Sequence, residues 1–170
     1  MTISDILSRR SIRKYTNEPV SDEQLHAALE AAMAAPSAMR SDPWRFIILK
    51  ERDDLNLLAS VLPHGKMLQE AGAGIIVCGD MNAAFRNSLS YLLQDCAASV
   101  ENLLLALHAQ GLGAVWLGIH PNEDRIEGIT KAFGLPEGIT PFCAVAIGHP
   151  AESKPAATRF DESKLHFGRW

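Results

Sequence analysis

The stretch "GLGAVWLG", Gly111–Gly118, decides which fold this chain can adopt. It opens like a dinucleotide-binding turn, with Gly111 and Gly113 in G-x-G spacing, yet Trp116 stands where the third glycine belongs. The order is also reversed: the segment follows a helical repeat and enters an apolar strand, whereas the fingerprint must follow a strand and open a helix. A dinucleotide-binding fingerprint is therefore not the reading. Gly111 is better explained as the cap of the preceding helix. Gly113 and Gly118, flanking an apolar run, are either plain turn glycines or points where backbone comes close to something bound.

Upstream, roughly Ser88 to Gln110 is the longest expected helix. Leu89, Leu92, Leu93, Cys96, Val100, Leu103, Leu104 and Leu107 recur at helical spacing, and Ala fills most other faces. A helix apolar nearly all round has to be buried, in part by a second subunit. "TISDILSRRS" predicts a short helix capped by Thr2 or Ser4. "SDEQLHAALEAAMAA" predicts another, with Ser21 and Gln24 spaced as a capping box. "RDDLNLLASVL" and "NEDRIEGITKAFG" read as two further helices. "PWRFIILK", "GIIVCGD", "GAVWLGI" and "FCAVAIG" read as strands, the first of them buried. The expected whole is one domain over residues 1–170, an α+β or α/β layered fold with about four core strands. Residues 150–170 form a polar, extended tail. Its closing aromatics, Phe167 and Trp170, would expose apolar area unless they wrap onto a partner chain.

In 170 residues, 16 Lys and Arg stand against 20 Asp and Glu, a formal net charge of −4. That balance argues against a nucleic-acid partner, which calls for a basic face. Cys78, Cys96 and Cys143 are far apart and show no ligand spacing, so they read as small core residues in a reducing compartment. His26, His64, His108, His120, His149 and His166 show no paired-ligand spacing, and no metal is expected. "MTISDILSRR" lacks the apolar region of a signal peptide, and no apolar run is long enough to cross a bilayer. The expectation is a cytoplasmic protein with no membrane partner.

Against this acidic background "RRSIRK", Arg9–Lys14, holds four positive charges in six residues. They could simply complement the C-terminal end of a short helix. If the chain instead leaves the helix here, Arg9, Ser11 and Arg13 fall on one face, where two guanidinium forks and a hydroxyl suit a phosphate. "APSAMRSDPWRF" is a second unusual segment. Pro36, Ser37 and Ala38 make either an ordinary helix-to-strand turn or a flat seat for a planar ligand.

Taken together, "RRSIRKY", "APSAMRSDPWRF", "GKMLQEA", "GLGAVWLGI" and "RFDESKLHFGRW" resemble, in order and spacing along the whole chain, the nitroreductase family of FMN-dependent oxidoreductases. The resemblance implies an α+β fold with a central mixed sheet of about four to five strands flanked by helices, and it implies that the anion is the phosphate of FMN. Arg9 and Ser11 would contact it, with Arg10 beside them and Arg159 of the tail as a further partner. Arg13 and Lys66 would be cations at the pyrimidine edge, where positive charge stabilises reduced flavin. Backbone around Leu117 and Gly118 would face flavin N5, supported by Trp116.

The resemblance also implies a homodimer with FMN in the interface, so that Pro36, Ser37, Ala38 and Arg40 come from the partner protomer. Many relatives carry Asn and Gln before Pro-Trp, where this chain has Arg40 and Asp42. The implied activity is hydride transfer from NADH or NADPH through FMN to a small electron-poor acceptor, a nitroaromatic or quinone, by a ping-pong mechanism. No side chain acts as nucleophile or general acid. The alternative is a flavin-binding redox-sensing or carrier module without NAD(P)H turnover.

Overall fold

The computed structural model describes residues 2–16, 18–156 and 158–170. Among these, five α-helices and four strands follow in the order α1 (Ile3–Ser8), α2 (Asp22–Met33), β1 (Trp44–Leu49), α3 (Arg52–Val61), β2 (Ala73–Asp80), α4 (Leu89–Ala109), β3 (Gly113–Gly118), α5 (Glu123–Phe133) and β4 (Ile139–Gly148). Both predicted N-terminal caps form: Thr2 with Asp5, and Ser21 with Gln24, each close a capping box. Gly111, at φ +77°, turns the chain out of α4, and the Leu112 N–H reaches back to the Leu107 carbonyl.

The sheet order is β1-β2-β4-β3. Every neighbouring pair of these strands is antiparallel, so the sheet expected as mixed is antiparallel across its named strands. β2 and β3 do run the same way, joined by a crossover through α4, but β4 occupies the slot between them and opposes both. Parallel pairing among the described residues is confined to the isolated bridge Ser11–Ala114. β1, expected to be buried, is an edge strand: only Trp44 and Leu49 are buried along it, and Ile48 is exposed.

Period-two alternation in the two central strands builds a three-layer molecule. Ile76, Cys78, Ala144 and Ala146 face α3 and α5, packing with Leu55, Leu58 and Ile129. Ile75, Val77, Val145 and Ile147 face α2 and α4, packing with Leu25, Ala28, Val100, Leu103 and Leu107. β2 and β4, covered on both faces, are correspondingly near-continuous apolar runs.

The N-terminal segment is sewn onto the β3 edge. Ile12 N–H donates to the Ala114 carbonyl at 3.0 Å. The buried Tyr15 hydroxyl lies 2.7 Å from the Ile12 carbonyl and 3.2 Å from that of Ala146. Burial pushes the Tyr15 phenol well up from its ordinary value, so it stays a donor. The tail lies exposed, with Phe160, Leu165, Phe167 and Trp170 open to solvent. No helix among the described residues is long and apolar enough to cross a membrane.

Candidate functional site

α1 ends at Ser8 because Arg9 takes an extended conformation (ψ 132°). The chain therefore does leave the helix at the basic cluster, and its side chains part to two sides. Ile12 and Tyr15 enter the core. Arg10 lines a small cavity of about 200 Å³ with Ile12, and its Nε donates to the Pro155 carbonyl at 2.9 Å. Arg9 lies 3.8 Å from the Glu101 carboxylate on α4, and the Ser11 carbonyl accepts from Lys154 at 2.6 Å. Arg13 is anchored through its backbone: its N–H donates to Glu152 Oε1 at 2.6 Å, and its side chain is exposed. That bond, with support from Lys154, holds the Glu152 carboxyl below its usual range.

The Arg13 side chain lines a larger cavity of about 510 Å³. Its polar walls are Arg13, His64, Lys66 and Arg125, and no Asp or Glu among the described residues lines it. Leu62, Pro63 and Met67 supply an apolar wall, and Trp116, Leu117 and Gly118 of β3 supply the floor. In a protein with excess acidic charge, such a cation-lined cavity favours an anionic or electron-rich occupant.

The floor has a defined hydrogen-bonding character. Residues along a strand present their N–H and C=O alternately to its two sides. Ala114 presents its carbonyl outward to Ile12, away from β4, so Trp116 and Gly118 also present theirs outward. Beyond Ala114 the Trp116–Gly118 edge faces the cavity instead of another strand. The Gly118 carbonyl there accepts from Arg125 Nη1 at 2.8 Å. Arg125 Nε is buried without a partner among the described residues. Trp116 packs edge-on against Phe142, with ring centroids 5.4 Å apart, which braces the strand from behind.

Five of the residues singled out from sequence thus meet in one cavity: Arg13, Lys66, Trp116, Leu117 and Gly118. Gly113 and Gly118 resolve differently. A Cβ at Gly113 would meet Ile12 Cγ2 at 2.7 Å, so the close approach there is to the chain's own N-terminal segment, whereas at Gly118 the space is open.

Pro36, Ser37, Ala38 and Arg40 lie at the far edge of the sheet, leading into β1. Ser37 Oγ donates to Asp42 Oδ1 at 2.5 Å and accepts from the Asp42 N–H at 3.1 Å. Ala38 N–H donates to the buried Asp95 at 2.9 Å. These bonds hold Met39, Arg40 and Asp42 at positive φ, which non-glycine residues adopt rarely. Arg40 and Asp42 form no ion pair with each other, and Asp42 Oδ1 accepts from Ser37 instead. Arg159 lies in the exposed tail. Arg125 and His64 escaped sequence reading: Arg125 is one cation within an ordinary amphipathic helix, and His64 sits in a helix-stop "PHG".

The nitroreductase family model matches residues 6–75 and 60–149. A protein of Methanothermobacter thermautotrophicus with the provisional name NADH dehydrogenase/NAD(P)H nitroreductase is 41% identical over 97% of this chain and 85% of its own length. A crystal structure from Bacteroides thetaiotaomicron, with the same provisional name, covers 99% of this chain and 97% of its own at 39% identity, with a TM-score of 0.92. A provisionally named nitroreductase from Desulfovibrio desulfuricans, solved in complex with FMN, covers 96% and 94% at 34% identity, with a TM-score of 0.83.

Proposed function

The chain belongs to the nitroreductase family, and from that premise we propose that it is an FMN-dependent NAD(P)H oxidoreductase whose cofactor lies in the cation-lined cavity beside β3. One observation carries the placement. Among the described residues, a cavity of about 510 Å³ has four basic side chains, no acidic one, and a free strand edge as its floor. The donor set suits FMN: a flat ring rich in carbonyl and nitrogen acceptors matches backbone donors on an unpaired edge, and cations match its charge.

FMN, when bound, supplies the uptake and delivery of hydride. The protein's part is orientation and field. Trp116 and Gly118 would offer edge donors to the ring, Arg13 and Lys66 would put positive charge at its pyrimidine side, and Leu62, Pro63 and Met67 would keep water from one wall. Arg9 and Ser11, on the same extended segment as Arg13, would receive the phosphate, with Arg10 beside them and Arg159 of the tail as a further contact. NADH or NADPH and then a small electron-poor acceptor, such as a nitroaromatic or quinone, would occupy the open face in turn, a ping-pong sequence.

The functional unit in this reading is a homodimer. α1 leaves Ile3, Ile6 and Leu7 exposed, α2 and α4 share an alanine-lined groove of about 420 Å³, and the tail presents Phe160, Phe167 and Trp170. Apolar area of that extent asks for cover. The hydrogen-bonded segment Pro36–Arg40 would then reach the partner's cofactor.

The test is the visible spectrum of the purified protein, followed anaerobically with NADH and then NADPH. Flavin bands that bleach support the enzyme. Flavin bands that persist with both donors would leave a flavin-binding module, and no uptake of added FMN would remove the reading altogether.

A further inference from the structure

Among the described residues, Arg125 is the one cavity-lining cation whose guanidinium is held by the cavity floor itself. Nη1 donates to the Gly118 carbonyl at 2.8 Å, and Nε is buried without a partner. No ion pair to Glu123, Asp124, Glu127 or any other described carboxylate takes its charge. A buried guanidinium N–H without an acceptor is costly and ordinarily selected against. Its position beside a cavity points to a role in that cavity.

The strand edge defines the role. An outward-facing residue presents both a donor and an acceptor, and Gly118 is outward-facing. Left alone, its carbonyl would turn a lone pair toward a ring that gains electron density on reduction. Arg125 occupies that carbonyl, so at Gly118 the edge is left with its N–H and a nearby positive charge. The missing Cβ at Gly118 keeps the approach open, with no atom of the described residues within 4 Å of where it would stand.

Resting on the FMN reading above, we propose that Arg125 is a positioning residue that clamps the Gly118 peptide and biases the cavity toward the reduced form of the flavin. The bias acts through the peptide's orientation and through the guanidinium charge. It adds to whatever Arg13 and Lys66 contribute from the same cavity.

The experiment measures the midpoint potential of bound FMN, and the affinity for oxidised FMN, in the wild type and in Arg125→Ala, Arg125→Gln and Arg125→Lys. Alanine removes both bond and charge. Glutamine can still donate to the Gly118 carbonyl but carries no charge, and lysine can supply both. Arg125→Ala is expected to weaken binding of reduced relative to oxidised FMN about tenfold, a fall of about 30 mV for a two-electron couple. Arg125→Lys should recover most of this, and Arg125→Gln should fall between.

An unchanged potential in Arg125→Ala overturns the proposal. So does an equal fall in all three variants accompanied by a lowered melting temperature, which would mark Arg125 as structural only. Failure of the wild type itself to bind FMN would instead defeat the underlying reading, and the two failures cannot be confused.

Discussion

Asp95, buried on α4, accepts the backbone N–H of Ala38 at 2.9 Å, and so ties the middle of the longest helix to the loop that enters β1. Its second oxygen, Oδ2, has no partner among the described residues. A buried carboxylate with one bond is expensive to keep, yet removing it strands the Ala38 N–H. Asp95→Ala should destabilise the protein by about 1–3 kcal/mol. Asp95→Asn keeps an acceptor for Ala38 and should cost clearly less. Urea unfolding of the two variants separates them, and equal losses would show that the bond to Ala38 contributes nothing.

Two glycines on β3 should respond in opposite ways to the same added methyl. At Gly113 a Cβ would stand 2.7 Å from Ile12 Cγ2 and 2.9 Å from its Cβ, and the latter cannot swing aside. Gly113→Ala must push the N-terminal segment off the strand, at a cost of about 1–3 kcal/mol. Gly118→Ala meets no atom of the described residues within 4 Å and should leave stability within about 0.5 kcal/mol, but its methyl would enter the cavity and should weaken FMN uptake. Thermal melts of the apoproteins with FMN titrations check both. A stable Gly113→Ala protein, or a Gly118→Ala protein that binds FMN normally, would contradict the arrangement.

These two glycines also mark how far the sequence could be read. Local signals, such as the Ser21–Gln24 box, the Gly111 cap and the apolar runs of β2 and β4, are short-range physics, and they placed the elements correctly. Trp44–Leu49 misled because an apolar run looks the same whether it is central or at an edge, and only pairing order separates the two. Antiparallel insertion of β4 between β2 and β3 is likewise a long-range choice. For the site, the basic cluster drew notice to Arg13 and the apolar run to its flanking Gly118, whereas Lys66 and the roles of all three came from family motifs. Arg125 has no such motif. Its partner is a backbone carbonyl, which leaves no trace in side-chain spacing.

The cations Arg13 and Lys66 carry no ion pair among the described residues, so their charge is available to the cavity. Arg13→Ala and Lys66→Ala should each weaken FMN binding or slow its reduction by NAD(P)H about tenfold or more, in line with roughly 1.5–3 kcal/mol for a hydrogen bond to a charged group. The conservative replacements Arg13→Lys and Lys66→Arg keep the charge and should lose less. Flavin content after dialysis and stopped-flow reduction under anaerobic conditions are the measurements. Unchanged values in both alanine variants would remove these two residues from the cofactor site.

Glu152 makes the placement of Arg13 sensitive to acid. Its Oε1 accepts the Arg13 N–H and lies 3.1 Å from Lys154 Nζ, and the backbone bond leads in drawing its pKa below the ordinary 4.5. A folded pKa below the unfolded one stabilises the fold fully above the unfolded value, and the contribution is lost as pH falls through the folded value. Glu152→Gln cannot titrate and keeps only a neutral acceptor. The wild type should therefore be the more stable of the two from neutral pH down to about 5, and the difference should shrink steadily below about 4.5. Denaturant midpoints of both proteins across pH 3–7 provide the comparison. A gap that stays constant through the acid range would mean that the Glu152 carboxylate does not anchor Arg13.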